Sequence, residues 1–300
     1  MLQLRLLRLF YKKIRFIQKI LCSFAKMKTY PVVLTIAGSD SGGGAGIQAD
    51  IKTMSALGAF AASAITAVTV QNTLGVSGIH DIPCEVVEAQ IEAVLSDFPV
   101  KALKIGMINQ VDLVDAIARA VKKYSIKNVV LDPVMVATSG DKLMQNSTIE
   151  KLKKELFPLS TIITPNLYEA GILLNKKIVS IEEMVTAAKK LCSLGCQSAL
   201  VKGGHLDKTE MTDVLYNAQE NRIYIYSARQ IQTKNLHGTG CTLSSAIASF
   251  LAFGEPLPKA VQLAKDYISA AIKAGKDIEI GKGNGAVNHF FNPVKLQIIL

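Results

Sequence analysis

The sequence has few of the residues that build disulfide frameworks or metal clusters. Its 300 residues include only five cysteines and four histidines. The cysteines are odd in number and lack zinc-binding spacing, and the histidines are scattered, so neither a zinc site nor a disulfide framework is expected. So few cysteines in a chain of this length favour a reducing compartment, and we assign the protein to the cytoplasm.

Long apolar runs are also lacking. The longest, about residues 58–70, contains hydroxyl side chains and ends at Gln71. It is shorter than the roughly 20 residues that a membrane helix needs, so we interpret it as a buried strand with its approach. The chain is nevertheless 49% hydrophobic, with a mean hydropathy of +0.29. Parallel α/β folds reach such values because their central strands are buried on both faces.

Acidic residues are missing from residues 1–26, which contain seven lysines and arginines. Most of the net charge of +10 therefore lies in this leader, and the rest of the chain is too mildly basic for a broad nucleic-acid surface. Three interpretations of the leader stay open: an upstream start with the fold beginning at Met27, a surface-seeking amphipathic helix, or an organellar transit segment. We predict a basic extension over residues 1–27 and a single domain over residues 28–300, with no membrane contact expected of that domain.

Short apolar runs alternate with helical periodicities through the rest of the chain. Strands are predicted at 31–37, 60–70, 102–106, 127–132, 161–164 and 198–202, with an antiparallel pair at 214–216 and 223–226. Helices are predicted between them and at 241–253 and 257–274. This alternation predicts an α/β fold, a three-layer αβα sandwich with a mostly parallel central sheet. Ligands of such sheets bind beyond the carboxyl ends of the strands, where we place Asp40, Gln71, Lys104, Asp132, Asn166 and Lys202.

A glycine-rich segment, Gly42–Gly46, follows the first predicted strand. It is not a dinucleotide fingerprint, because Ala49 stands where the third glycine would be, and no lysine follows as in a Walker loop. A turn that needs positive φ would explain some of these glycines. Four glycines in five positions exceed that need and favour close approach of the backbone to a flat ligand.

A second glycine segment, comprising Gly238, Thr239, Gly240 and Cys241, precedes a predicted helix. Free backbone N–H groups at a helix N-terminus form an anion site. Cys241 is either a small buried cysteine or a thiol whose pKa the helix lowers, which would let it accept a hydroxyl proton. Lys202 ends a strand, either snorkelling to solvent or neutralising phosphate charge. Together, the two glycine segments indicate a small-molecule kinase.

Two further segments combine a polar residue with a glutamate three positions later. Ser147 and Glu150 predict a capping box at the start of a helix. Asn166 and Glu169 follow a strand, and they either cap a helix or orient Mg²⁺ through its water molecules. Both interpretations of the second pair can hold at once.

The motifs together resemble those of the hydroxymethylpyrimidine/phosphomethylpyrimidine kinases of thiamine biosynthesis, within the ribokinase-like superfamily. The resemblance runs from about Pro31 to Phe291, through the segments 34–40, 42–52, 71–73, 104–107, 130–135, 163–166, 201–205 and 237–243. It implies a ribokinase-like domain that uses ATP and Mg²⁺ to phosphorylate 4-amino-5-hydroxymethyl-2-methylpyrimidine and then its monophosphate. It also implies a homodimer.

The resemblance assigns roles residue by residue. Gln71 matches the residue that hydrogen-bonds the pyrimidine edge, and the other substrate-binding positions are Gly38, Ala45, Asp50, Met107 and Val134. The anion hole is Gly238, Thr239, Gly240 and Cys241, with Cys241 where most ribokinase relatives have an aspartate base. Lys202, Asn166 and Glu169 match phosphate-binding positions, and Glu169, Asn166 and Asp132 match the Mg²⁺ site.

Two other functions stay open. A pyridoxal-type kinase of the same superfamily also acts on a hydroxymethyl group on a flat nitrogen ring. A non-catalytic pyrimidine-binding protein would use the same pocket without turnover. All kinase interpretations require the two glycine segments to enclose one cavity, with the Cys241 sulfur pointing into it.

Overall fold

The computed structural model describes residues 28–135, 144–203 and 209–299, and the predicted leader lies outside these ranges. The strands are β1 (Val32–Asp40), β2 (Phe60–Asn72), β3 (Gly75–Asp81), β4 (Val100–Ile105), β5 (Val129–Leu131), β6 (Ile162–Ile163), β7 (Ser198–Lys202), β8 (Glu210–Asn217) and β9 (Arg222–Arg229). The α-helices are α1 (Gly46–Ala56), α2 (Cys84–Asp97), α3 (Val111–Lys123), α4 (Asn146–Glu155), α5 (Leu167–Leu174), α6 (Ile181–Cys192), α7 (Thr239–Ala252) and α8 (Leu257–Gly275).

Within the described ranges the strands form one nine-stranded sheet in the order β3-β2-β1-β4-β5-β6-β7-β8-β9. The pairs from β2 through β7 are parallel, whereas β3, β8 and β9 pair antiparallel. Successive strand residues face opposite sides. Leu34 and Ile36 therefore pack in one core with α2 to α6, and Val33 packs in the other with α1, α7 and α8. The predicted αβα sandwich is confirmed.

The structure departs from the predicted elements in two places. Strand β3 was not predicted, because its glycines and polar residues break the apolar alternation, yet it pairs with β2 along residues 67–72. Helix α4 begins at Asn146 rather than after a Ser147 cap, and no side chain caps it. Glu150 instead bonds Lys153 at 2.7 Å, so the capping box predicted there is wrong.

As predicted, the polar residues of the parallel strands lie together where the strands end, at the carboxyl-terminal side of the sheet. Asp40 ends β1, Asp132 follows β5, and Lys202 ends β7. Lys104 is an exception, since it lies inside β4 and its side chain is fully buried. No helix among the described residues is long and apolar enough to span a membrane.

Candidate active site

The two glycine segments meet directly, although they lie about 200 positions apart in the sequence. Gly238 has a φ of +81°, and a Cβ atom built on it would overlap the carbonyl oxygen of Gly44. Gly46 has a φ of +57°, and a Cβ there would overlap the carbonyl oxygen of Gly38. Positive φ and this close approach both require glycine. The expectation that the two segments adjoin is confirmed.

A hydrogen bond between His237 and Asp40 links the two glycine segments. One Asp40 carboxylate oxygen accepts hydrogen bonds from the N–H groups of Gly44 and Ala45, and the other accepts from Gly42. His237 Nε2 lies 2.8 Å from the Asp40 Oδ2 atom. Burial raises the pKa of Asp40, but the bonds from His237 and the loop outweigh this and hold the pKa below its usual value. No role for His237 could be predicted from the sequence, because its partner is 197 residues away.

Cys241 lies in the first turn of α7, facing the first glycine segment. The backbone N–H of Gly46 is near enough to act on the Cys241 thiol, so the thiol lies at the junction of the two segments. Burial raises the pKa of Cys241 to about 11, while Lys104 acts in the opposite direction. The expectation of a lowered pKa is therefore wrong, because loss of solvent outweighs the helix N-terminus and the nearby lysine. Cys241 is a neutral thiol in the free protein at neutral pH.

The N-terminus of α7 supplies the predicted anion site in part. Gly238 occupies the N-cap position and makes no side-chain cap, and the first-turn N–H groups of Gly240 and Cys241 have no intrahelical acceptor. The Thr239 N–H differs, because it donates to the Leu236 carbonyl at 3.3 Å. The Lys202 ammonium lies 3.4 Å from the position that a Cβ of Gly240 would occupy. A cation therefore stands beside these N–H groups, as phosphate binding requires.

This cation is one half of a buried lysine–carboxylate pair. Lys202 Nζ is 3.0 Å from Asp132 Oδ1, which also accepts from Thr164, and Ser244 donates to the other carboxylate oxygen at 3.1 Å. Burial lowers the pKa of Lys202, but Asp132 and Glu169 more than compensate and raise it. Lys202 is thus a fixed positive charge at the site.

A second such pair has no exposed surface at all. Lys104 Nζ donates to Asp50 Oδ2 at 2.8 Å, and the hydroxyls of Thr35 and Ser245 each donate to Asp50 at 2.6 Å. Both carboxylate oxygens of Asp50 are therefore engaged within the protein. The prediction that Asp50 binds substrate disagrees with this placement, because a fully buried side chain cannot line a pocket. Asp50 bonds both Lys104 and Ser245, and Ser245 follows Cys241 by four residues on α7. Lys104 is therefore held about one helical turn below Cys241.

Asn166 and Glu169 form a complete capping box at the start of α5. Asn166 Oδ1 accepts from the Glu169 N–H at 2.9 Å, and Glu169 Oε2 accepts from the Asn166 N–H at 2.8 Å. Burial and the Asp132 charge raise the pKa of Glu169 to about 7, although Lys202 opposes the shift. The capping interpretation from the sequence is confirmed.

The same residues fit Mg²⁺ only through water. No group of three or more His, Cys, Asp or Glu side chains is placed to hold a metal in the parts of the chain that the structure describes. The oxygens of Asp132 and Asn166 already accept protein hydrogen bonds. However, three carboxylates, Asp50, Asp132 and Glu169, share the two positive charges of Lys104 and Lys202. A hydrated cation would relieve this excess of negative charge, and magnesium retains several of its waters in proteins.

Four of the predicted substrate residues lie at or beside the first glycine segment, namely Gly38, Ala45, Gln71 and Met107. Gly38 leaves room for the Met107 side chain, because a Cβ at Gly38 would collide with the Met107 methyl group. Ala45 is the N-cap of α1, and Val134 follows Asp132 beyond β5. The Gln71 amide lies 3.2 Å from His237 Nε2 at the junction of the two segments. The structure therefore groups the first four of these residues at the glycine segment that Cys241 faces.

The fold and this site define a kinase that acts on a small molecule. The sequence model of the phosphomethylpyrimidine kinase family matches residues 40–288. The hydroxymethylpyrimidine/phosphomethylpyrimidine kinase of Rhizobium meliloti is 50% identical over 260 residues, covering 86% of this chain and 97% of the relative. The chain belongs to the phosphomethylpyrimidine kinase family.

Solved structures agree with this assignment. The phosphomethylpyrimidine kinase of Clostridium difficile 630 superposes with a TM-score of 0.71 at 44% identity, covering 80% of this chain and 99% of that one. The pyridoxal kinase of Staphylococcus aureus in complex with AMP-PCP and pyridoxal superposes with a TM-score of 0.80 at 34% identity, covering 89% and 96%. The overall shape is therefore shared by kinases of two different ring substrates.

Proposed function

We propose that this protein transfers the γ-phosphoryl group of ATP to the hydroxymethyl oxygen of 4-amino-5-hydroxymethyl-2-methylpyrimidine, and then phosphorylates the monophosphate to the diphosphate. The observation that carries the proposal is the junction of the two glycine segments around Cys241. This junction supports the proposal because Gln71, Cys241 and the N-terminus of α7 all lie at it.

In the proposed reaction, the substrate oxygen forms a bond to the γ-phosphorus, the bond to the ADP oxygen breaks, and the hydroxyl proton leaves to a base. The α7 N–H groups and Lys202 stabilise charge on the transferring group. Cys241 accepts the proton as its thiolate. Lys104, one turn beneath, favours that thiolate by its fixed charge.

We further propose that Mg²⁺ accompanies ATP. Asp132, Asn166 and Glu169 would hold the ion through water molecules and would supply charge neutralisation for the phosphates. The observation in support is the excess of carboxylate charge around Lys202. Removal of Mg²⁺ with a chelator should abolish turnover, and re-addition should restore it.

A mass-spectrometric assay tests the main proposal. Purified protein is incubated with ATP, Mg²⁺ and the aminopyrimidine alcohol, and the phosphates added to the product are counted. We expect the monophosphate first and the diphosphate later. Unchanged alcohol after prolonged incubation would refute the proposal.

Pyridoxal-type activity is the second candidate, favoured by the superposition on the Staphylococcus aureus pyridoxal kinase. Both substrates carry a hydroxymethyl group on a flat nitrogen ring. Comparing kcat/KM for the aminopyrimidine alcohol and pyridoxal decides between them. We expect the aminopyrimidine to be preferred, because the Gln71 side-chain amide has both a donor and an acceptor for the aminopyrimidine edge.

Two further assignments are part of the proposal. We propose a homodimer formed through the β2–β3 edge of the sheet, where Val68, Val70 and Ile79 are exposed. We also propose that the protein acts in the reducing cytoplasm, in keeping with the unbridged thiols of Cys192 and Cys196, which lie 3.9 Å apart.

A further inference from the structure

We infer that Thr69 and His237 hold the side-chain amide of Gln71 in one orientation, and that this orientation selects an aminopyrimidine edge. The inference rests on the proposed function and concerns the same cavity. Thr69 and His237 are positioning residues in it, since each acts on the substrate through Gln71.

The hydroxyl of Thr69 decides which amide atom faces it. Thr69 Oγ1 lies 2.9 Å from the Ser39 carbonyl oxygen and 3.0 Å from a Gln71 amide atom. A carbonyl oxygen only accepts, and a hydroxyl has one proton to give. Because that proton goes to Ser39, Thr69 must accept from Gln71, and the Gln71 atom facing it is the amide nitrogen.

His237 leads independently to the same orientation. Its Nε2 atom lies 2.8 Å from an Asp40 carboxylate oxygen and 3.2 Å from the Gln71 amide. A carboxylate only accepts, so Nε2 carries a proton and cannot accept another hydrogen bond. Gln71 therefore turns its amide oxygen, rather than a second donor, toward the Nε2–H group, which Asp40 and Gln71 share.

The structure records the amide turned the other way, with Oε1 at Thr69 and Nε2 at His237. A half-turn of the amide exchanges these atoms without changing the shape of the side chain, and the hydrogen-bond network decides between the two placements. Both neighbours favour the turned amide. Its oxygen then lies on the His237 side of the cavity and its nitrogen on the Thr69 side.

This orientation matches the donor and acceptor order of the proposed substrate, and it directs the hydroxymethyl group toward the anion site. The turned amide keeps one N–H and an oxygen lone pair for the ligand. An aminopyrimidine offers an amino donor beside a ring-nitrogen acceptor, so the amino group would lie on the His237 side. The hydroxymethyl carbon is the next ring substituent beyond the amino group. It therefore lies further toward His237, whose neighbour Gly238 begins the anion site.

A swapped substrate edge tests the inference. The 4-oxo analogue of the alcohol has a carbonyl acceptor where the amino group was and an N–H donor at the ring nitrogen. If the Gln71 amide is fixed, its donor and acceptor face the donor and acceptor of the oxo compound in the wrong order. If the amide can turn, it can bond both compounds. We measure kcat/KM for the amino and oxo compounds with the wild type and with Thr69→Val, which keeps the shape of the side chain but removes its acceptor.

We expect Thr69→Val to reduce the preference for the amino compound about tenfold, the usual effect of one hydrogen bond. Thr69→Ser, which restores the hydroxyl, should retain the wild-type preference. Thr212→Val is the matched control, because Thr212 is equally buried on β8 and bonds Ser227 rather than the cavity. It should leave the ratio unchanged.

The possible results distinguish failure of the inference from failure of the proposed function. If Thr69→Val lowers turnover of both compounds equally, or leaves both unchanged, Gln71 is not held by Thr69 and the inference is overturned. Wild-type protein that phosphorylates neither compound would overturn the proposed function as well. Turnover of the amino compound with an unchanged ratio would overturn the inference alone.

Discussion

Cys241 shows how one residue depends on the charges buried around it. Its raised pKa means that the thiolate is a minor species at neutral pH. A base that must first lose its own proton gives a rate that rises with pH until its pKa is reached. The lysines and carboxylates facing this thiol are Lys104, Asp50, Asp132 and Lys202, of which both lysines favour the thiolate.

Replacing Cys241 with alanine should therefore lower kcat by about 10²–10⁴-fold with a smaller change in KM, the usual worth of a positioned base. In the wild type, kcat should increase by roughly tenfold per pH unit on the way to the thiol pKa, until another step limits it. The alanine variant should lose this dependence. Steady-state kinetics from pH 6 to 9 provide the measurement, and near-wild-type turnover by the variant would remove the catalytic role.

The Lys104–Asp50 pair makes a separate prediction about stability. Lys104→Met would leave an ionised carboxylate buried without its cation, which typically costs about 3–5 kcal/mol. The double variant Lys104→Met, Asp50→Asn removes both charges and should recover part of that loss. Urea unfolding of both variants measures the difference. Equal destabilisation by the single and double variants would show that the pair is not coupled.

The sequence predicted which residues meet at the candidate site better than it predicted the residues that hold them in place. Gln71, Lys202 and Cys241 carry recognisable chemistry at strand and helix ends. Asp50 was misassigned because its motif does not reveal that its side chain points into the interior. His237 was passed over for a different reason, since its role depends on a contact with Asp40 that only the folded chain creates.

At the scale of elements, local sequence patterns predict whether a segment is a helix or a strand more accurately than they predict the residue at which it begins. The sequences beginning at Ser147 and Asn166 share a polar residue followed three positions later by glutamate, yet only the second forms a capping box. A cap requires its residue to leave the helical backbone conformation, and the neighbouring chain decides this. Strand β3 was missed for a related reason. Its own sequence has no strand-like pattern, and it is stabilised by its hydrogen bonds to β2.

The junction of the glycine segments gives a prediction at this scale. Gly238→Ala adds a methyl group where the Gly44 carbonyl oxygen lies, so it should separate the two segments and abolish most turnover. Gly254→Ala is the matched control. Gly254 has a similar φ of +89°, but nothing lies within 4 Å of its added carbon. The control should lose about 1–2 kcal/mol of stability from backbone strain and keep its kcat.

Thermal unfolding measures the stability of the two variants, and kinetics measure their turnover. Comparing the two distinguishes the effect of backbone strain, which both variants have, from that of the contact with Gly44, which only Gly238→Ala disturbs. Full activity in Gly238→Ala would show that the segments need not touch. Loss of activity in Gly254→Ala as well would mean that left-handed strain, rather than the contact, explains the effect.

At the scale of the whole molecule, the sheet has two unlike edges. Strand β3 and its partner β2 present the large apolar side chains of Val68, Val70 and Ile79 to solvent, next to the exposed Leu74 in their turn. Strand β9 at the other edge is mixed, and its exposed Ile225 is flanked by tyrosines. An unpaired strand edge with an apolar surface favours association with another chain.

We therefore expect the proposed homodimer to depend on the β2–β3 edge. Val70→Lys places a charge on a side chain that is 62% exposed in one chain, so folding should be unaffected while association is weakened. Ile225→Lys makes the same chemical change at the opposite edge, where the side chain is 56% exposed. Sedimentation equilibrium of the three proteins should give a dimer for the wild type and Ile225→Lys and a monomer for Val70→Lys. A monomeric wild type, or dissociation by Ile225→Lys alone, would contradict this arrangement, because the proposed interface involves only the β2–β3 edge.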